Sequence, residues 1–375
     1  MSTSDVIIVG GGVIGLSVAY AVARSGATVT VLDAGKPGQA SSAAAGMLAP
    51  LAEAGRPGPF VQMALDSLRR WPSFVAQIRE DVATPLSLLG PGMLRVARTE
   101  AEETALCEAL EWQGRLCLPV HRLEAHEVRT LEPAIGPHVR GAVVSPEERH
   151  VEPRVLLDAL TGACRRQGVV LQAGVMATGF ETSTNRVVMV RTTQGDVYCR
   201  QIVIAGGAWS TGLGQRLGVH LPVSPLRGQM VAFGPLSPSP FRHTVYAHGG
   251  YLVPRPDGRV VAGATEEQAG FVADTTTAGV AALVQMAAAL VPALAGAPLH
   301  SAWAGLRPVS ADGMPLLGRL PGWENVHVAT GHGRNGILLT PLTGDLMAAH
   351  LLRNAALPSD LDPMRFQEIS PCPSR

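Results

Sequence analysis

The sequence predicts an α/β protein in which a doubly wound parallel sheet is assembled from separate stretches of chain and interrupted by a β-rich (α+β) module. Three observations carry this expectation. A strand, a glycine turn, a helix and a second strand follow one another within the first 33 residues. Further apolar strands running into glycine recur far downstream, at 201–205 and 326–329. Between them lies a hairpin signal of a different, antiparallel kind.

Residues 6–9 (Val-Ile-Ile-Val) form a continuous apolar run, the pattern of a strand buried on both faces. A helix is expected over 13–24, with Gly26 just past its end. Residues 28–32 (Thr-Val-Thr-Val-Leu) give the next strand and complete a βαβ unit. The segments 251–254 and 260–264 flank Asp257-Gly258, a two-residue hairpin signal. The parallel sheet is therefore expected to be discontinuous. The tail after Pro358, rich in Pro and Asp, is expected to be loosely held.

Bulk properties narrow the functional classes. A chain of 375 residues with 46% hydrophobic content can bury a large core and favours two domains. Thirty basic and thirty acidic residues cancel, which excludes the basic footprint of a nucleic-acid binder. The five cysteines are odd in number, with no Cys-x-x-Cys and no histidine at ligand spacing. They read as reduced thiols in a cytoplasmic protein with no metal site. No signal peptide is expected ahead of the first strand, since no basic region and apolar stretch precede Val6. Residues 275–306 carry no charge, yet they are alanine-rich and broken by Pro292. A short helix, a loop and a strand are expected there rather than a membrane span; a helix facing a partner in a homo-oligomer is the alternative.

Gly10, Gly12 and Gly15 stand as G-x-G-x-x-G between the first strand and the helix. Gly10 permits the tight turn, Gly12 lets the backbone approach a pyrophosphate, and Gly15 lets helix and strand pack closely. A pyrophosphate would then rest on the unpaired N–H groups of the helix N-terminus. Asp33 closes the second strand, placed to accept from a ribose 2′-hydroxyl. These features point to a dinucleotide without separating NAD from FAD, and a glycine-rich loop beside a capping aspartate is the bland alternative.

Five segments make the signal specific: Ser-Ser-Ala-Ala-Ala-Gly-Met-Leu at 41–48, IVIAGGAWS at 202–210, WAGLRP at 303–308, DGMPLLGR at 312–319 and GHGRNGILLTP at 331–341. The first reads as small residues at a helix start, with hydroxyls at its cap. In this order they resemble the D-amino-acid oxidase family of FAD-dependent oxidoreductases, over nearly the whole chain, and within it the branch that oxidises glycine for thiazole and thiamine synthesis. The resemblance implies a discontinuous Rossmann-like FAD-binding domain (1–85, 141–220 and 308–375) with an inserted substrate domain (86–140 and 221–307).

It also implies positions along FAD. Val13 and Ile14 lie in the glycine turn, Asp33 and Ala34 meet the adenosine ribose, and Val175 meets the adenine. Ala40, Ser41, Ala45, Gly46 and Met47 run along the pyrophosphate and flavin. His332, Gly333, Arg334, Asn335, Gly336, Ile337 and Leu338 start a helix whose amides point at the flavin. The acid at 33 is shorter than the glutamate more usual in such enzymes. No cysteine follows Arg307 where relatives carry a covalent flavin link, so FAD is expected to be non-covalent.

For the substrate, the resemblance implies a small amino acid oxidised at its Cα–N bond, with O₂ as electron acceptor. Arg307 clamps the carboxylate by a two-pronged hydrogen bond. Arg334 serves either the substrate or the flavin loop, and Tyr251 contributes its hydroxyl or simply packs in its strand. His332 is expected to be structural, because hydride loss from a neutral amine needs no protein base. Alternatives within the same chemistry are sarcosine, D-alanine or D-proline as substrate, or a cyanide-forming glycine dehydrogenase. An NAD-dependent reductase leaves the 331–341 segment unexplained, and a non-catalytic binding module leaves Arg307 without a purpose.

Overall fold

The apolar run at 6–9 lies in the strand Ser4–Val9, at the centre of an eight-stranded sheet. The computed structural model describes residues 4–54 and 56–366. Five neighbouring strands are parallel, in the spatial order Val326–Thr330, Val197–Ile204, Ser4–Val9, Val29–Asp33 and Val170–Ala173. Alternation along the central strand explains its composition. Val6 and Ile8 enter the core on one face, with the helices Val13–Ala23 and Pro153–Arg166; Ile7 and Val9 enter the core on the other. Each such fully buried Val or Ile stabilises the fold by roughly 1.5–3 kcal/mol.

The second eight-stranded sheet runs Leu299–Ser310, Val223–Phe233, Val260–Gly263, Gly250–Pro254, Thr244–Ala247, Met93–Ala97, Gly141–Ser145 and His121–Glu124. The hairpin at Asp257-Gly258 is formed, with Tyr251 opposite Gly263 and Pro254 opposite Val260. The uncharged segment becomes the helix Thr277–Leu290, capped by Thr276 and laying Leu283, Ala287 and Leu290 against this sheet. A 3-10 turn at Pro292–Gly296 separates it from the long strand Leu299–Ser310. Among the described residues no helix is long and apolar enough to cross a membrane.

Three expectations shift. The strand Gly141–Ser145 pairs with Met93–Ala97 in the second sheet, so the chain does not re-enter the first sheet at 141. The run Gly-Ala-Val-Val-Ser is buried, as a parallel strand's would be, and its composition does not reveal its partner. Residues 358–366 are held rather than loose: Leu361 is buried and Arg365 pairs with Asp312 at 2.7 Å. The rest of the tail, with Cys372, lies outside the described residues. Arg307, expected at a strand end because Pro308 follows it, sits with Pro308 inside the strand Leu299–Ser310.

Candidate active site

One cavity of about 950 Å³ runs between the two sheets. Its first end is built by the glycine turn. Gly10 has φ +124°, and a β-carbon there would fall 2.2 Å from the carbonyl oxygen of Ala205. A β-carbon on Gly15 would fall 1.9 Å from the Gly10 oxygen, so Gly15 lies behind the wall and lets helix and strand meet. At Gly12 a β-carbon meets only the Ser41 hydroxyl, at 3.0 Å. The Ser41 hydroxyl accepts from the Val13 amide at 3.1 Å. It therefore caps the neighbouring helix Val13–Ala23, not its own helix Ala40–Ala43 as its position at 41–48 suggested. The amides of Gly12 and Ile14 have no protein acceptor among the described residues, leaving donors for an anion.

Asp33 ends the strand Val29–Asp33 and faces the same cavity. Its Oδ1 accepts from the Gly35 amide and from Gln39 Nε2, each at 3.0 Å. Gly11 makes room for it, since a β-carbon there would lie 2.8 Å from Asp33 Oδ2. Ala34, Ala40, Ala45, Gly46, Met47 and Val175 also line the wall.

The far end is built on the second sheet. Arg307 is half-buried, and its Nη1 donates to the Thr265 carbonyl at 3.0 Å. Its guanidinium lies over Gly228, where any β-carbon would fall within 2.5 Å of Cζ. Tyr251 lines the same space, its hydroxyl 3.5 Å from Met230 Sδ.

The segment His332–Ile337 closes the cavity and is stitched to the Arg307 strand: Gly333 donates to the Pro308 carbonyl at 2.8 Å. It is a succession of turns, and the helix begins only at Thr340. Gly331 and Gly333, both at positive φ, set those turns and delay the helix. Leu338 is outside the cavity, buried, its carbonyl accepting from Ser67 and Trp71. His332 is buried, its Nε2 3.1 Å from the Thr343 hydroxyl, and burial pushes it down to about 3, so its ring is neutral at pH 7. Arg334 contacts the carboxylate of Glu266.

A dinucleotide-binding turn and a guanidinium thus share one cavity. Residues 5–350 match the DAO family, described as FAD dependent oxidoreductase. The chain belongs to that family. It is 35% identical to the glycine oxidase of Geobacillus kaustophilus (strain HTA426), over 96% of this chain and 95% of the relative. It is 34% identical to the bifunctional protein ThiO/ThiG of Synechocystis sp. (strain ATCC 27184 / PCC 6803 / Kazusa), over 97% of this chain and 54% of that one. Its fold matches the crystal structure of glycine oxidase from Geobacillus kaustophilus with a TM-score of 0.92, covering 98% of this chain and all of that one, at 33% identity.

The protein is accordingly an FAD-dependent oxidoreductase, and the cavity fits its cofactor. The glycine-rich turn presents donors and no side chains at one end, and Asp33 lies beside it. The amides of Gly336 and Ile337, in the closing turns, also have no protein acceptor among the described residues. Thr265, Glu266, Gly228 and Gly11 complete the site, and sequence reasoning did not name them. Only Gly11 had a local signal, as the middle of three consecutive glycines.

Proposed function

We propose that this flavoenzyme oxidises glycine and other small amino acids at the Cα–N bond, in the cytoplasm, with FAD held non-covalently. Glycine, water and O₂ become glyoxylate, ammonia and H₂O₂, a supply route to the thiazole of thiamine. The single observation that carries the reading is Arg307, a guanidinium held over Gly228 in the cavity that begins at the dinucleotide turn. Similarity to proteins named glycine oxidase and ThiO/ThiG supports glycine and thiamine in particular.

Bound flavin supplies the two-electron acceptor. The chain's own residues supply position and field. Arg307 takes the substrate carboxylate by two parallel hydrogen bonds and fixes the rotation of Cα. Tyr251 offers a hydroxyl to the same group from the strand Gly250–Pro254 of the same sheet. Met230 and Ala264 make the neighbouring wall apolar, which displaces water and strengthens the Arg307 interaction. Neutral His332 adds no charge against the substrate amine, and no side chain is required as a base. Purified enzyme assayed with a panel of small amino acids, with O₂ and with a dye acceptor, tests the reading. Turnover of glycine with peroxide formation supports it; inertness toward every amino acid refutes it.

A further inference from the structure

The two arginines at the substrate end stand in different electrostatic environments. Arg307 donates to a neutral carbonyl, and no carboxylate among the described residues pairs with it. Arg334 contacts the carboxylate of Glu266, and both members of that pair line the cavity while remaining 40% and 48% exposed. Glu266 is held in place by its neighbours. The Thr265 hydroxyl accepts from the Gln229 amide at 2.9 Å. Glu267 exchanges backbone hydrogen bonds of 3.0 and 2.9 Å with Arg227, and its carboxylate accepts from Gln229 at 2.7 Å. Residues 265 and 267 are thus anchored to the strand Val223–Phe233, and Glu266 between them lines the cavity.

We propose that Glu266 is a specificity-determining residue that restricts this site to amines carrying one carboxylate. The inference rests on the reading above, in which Arg307 binds the substrate carboxylate. Arg307 is left to take one carboxylate, while Arg334 already faces the carboxylate of Glu266. A second carboxylate reaching toward Arg334 meets a guanidinium already paired and a like charge beside it. Small amino acids pass this filter, and dicarboxylic amines fail it.

The test uses the holoenzyme, with acetate and malonate as probes and the flavin absorbance band as readout, in the parent, Glu266→Gln and Glu266→Ala. Anaerobic bleaching of the parent by glycine is recorded first. Without it the reading above fails, and this inference with it. With bleaching intact, the malonate-to-acetate affinity ratio should rise about tenfold or more in both variants, the worth of one hydrogen bond between charged groups. Relative kcat/KM for iminodiacetate over glycine should move the same way. A ratio within about twofold of the parent in both variants overturns the assignment while leaving the glycine reading standing.

Discussion

A β-carbon built on Gly228 would fall 2.3 Å from Nη1 of Arg307, so the glycine and the guanidinium occupy one shared volume. The two residues lie on paired strands, Gly228 opposite Gly305 and Arg307 opposite Leu226. The glycine is thus a condition for the arginine's placement. Gly228→Ala should keep FAD and fold but displace the guanidinium. A misplacement on the order of 1 Å costs about a hundredfold in rate, and kcat/KM for glycine should fall by that order. Steady-state kinetics with flavin content measured alongside will check this; unchanged kinetics would mean the guanidinium finds another route to the substrate.

The glycine turn should split into two classes of defect. Gly10→Ala and Gly15→Ala drive a β-carbon into backbone oxygens at 2.2 and 1.9 Å, so they should lower Tm and yield little folded protein. Gly12→Val intrudes mainly on the cofactor's space and should give folded apoprotein. The ratio of flavin to protein absorbance, read against thermal melts, separates the classes.

Asp33→Ala should weaken FAD by about 1.5–3 kcal/mol, the worth of a hydrogen bond to a charged group, or one to two decades in Kd. Because Asp33 Oδ1 also accepts from Gly35 and Gln39, a purely local role is the competing outcome. Unchanged FAD retention would establish it.

Acid should destabilise the fold through histidines. Burial holds His150, His327 and His332 at about 3 each, well under the ordinary 6.5. Their folded pKa values are depressed, so the unfolded chain binds more protons between pH 6.5 and 3. Stability is therefore complete above 6.5 and falls as pH drops through that window. The slope is about 1.4 kcal/mol per pH unit for each histidine. Denaturant unfolding at pH 7 and pH 5 measures it. His327→Gln should remove about one proton's share of the slope, and an unchanged slope would show that His327 does not titrate this way.

Much of this architecture was legible because parallel strands buried on both faces leave continuous apolar runs, as at 6–9, 201–205 and 326–329. The glycine fingerprint with Asp33 and the Asp257-Gly258 turn are likewise local patterns. What was not legible depends on partners far apart in sequence. Gly141–Ser145 has the same apolar look yet belongs to the second sheet. Glu266 meets Arg334, and Thr265 meets Arg307, across separations of 68 and 42 residues that no periodicity encodes. The family resemblance implied a helix start at 332–338, but Gly331 and Gly333 postpone the helix to Thr340.

The most direct measurement of the central claim is the anaerobic reduction of the flavin by glycine in Arg307→Ala. Losing the guanidinium leaves a desolvated substrate carboxylate unpaired, at a cost of about 3–5 kcal/mol by analogy with broken buried pairs. The variant should stay yellow and folded while flavin reduction slows by two to nearly four decades, at about 1.4 kcal/mol per decade. Arg307→Lys should recover only part of the loss, because a point charge cannot reproduce the two-pronged fork. Reduction of Arg307→Ala by glycine at the parent's rate would contradict the account.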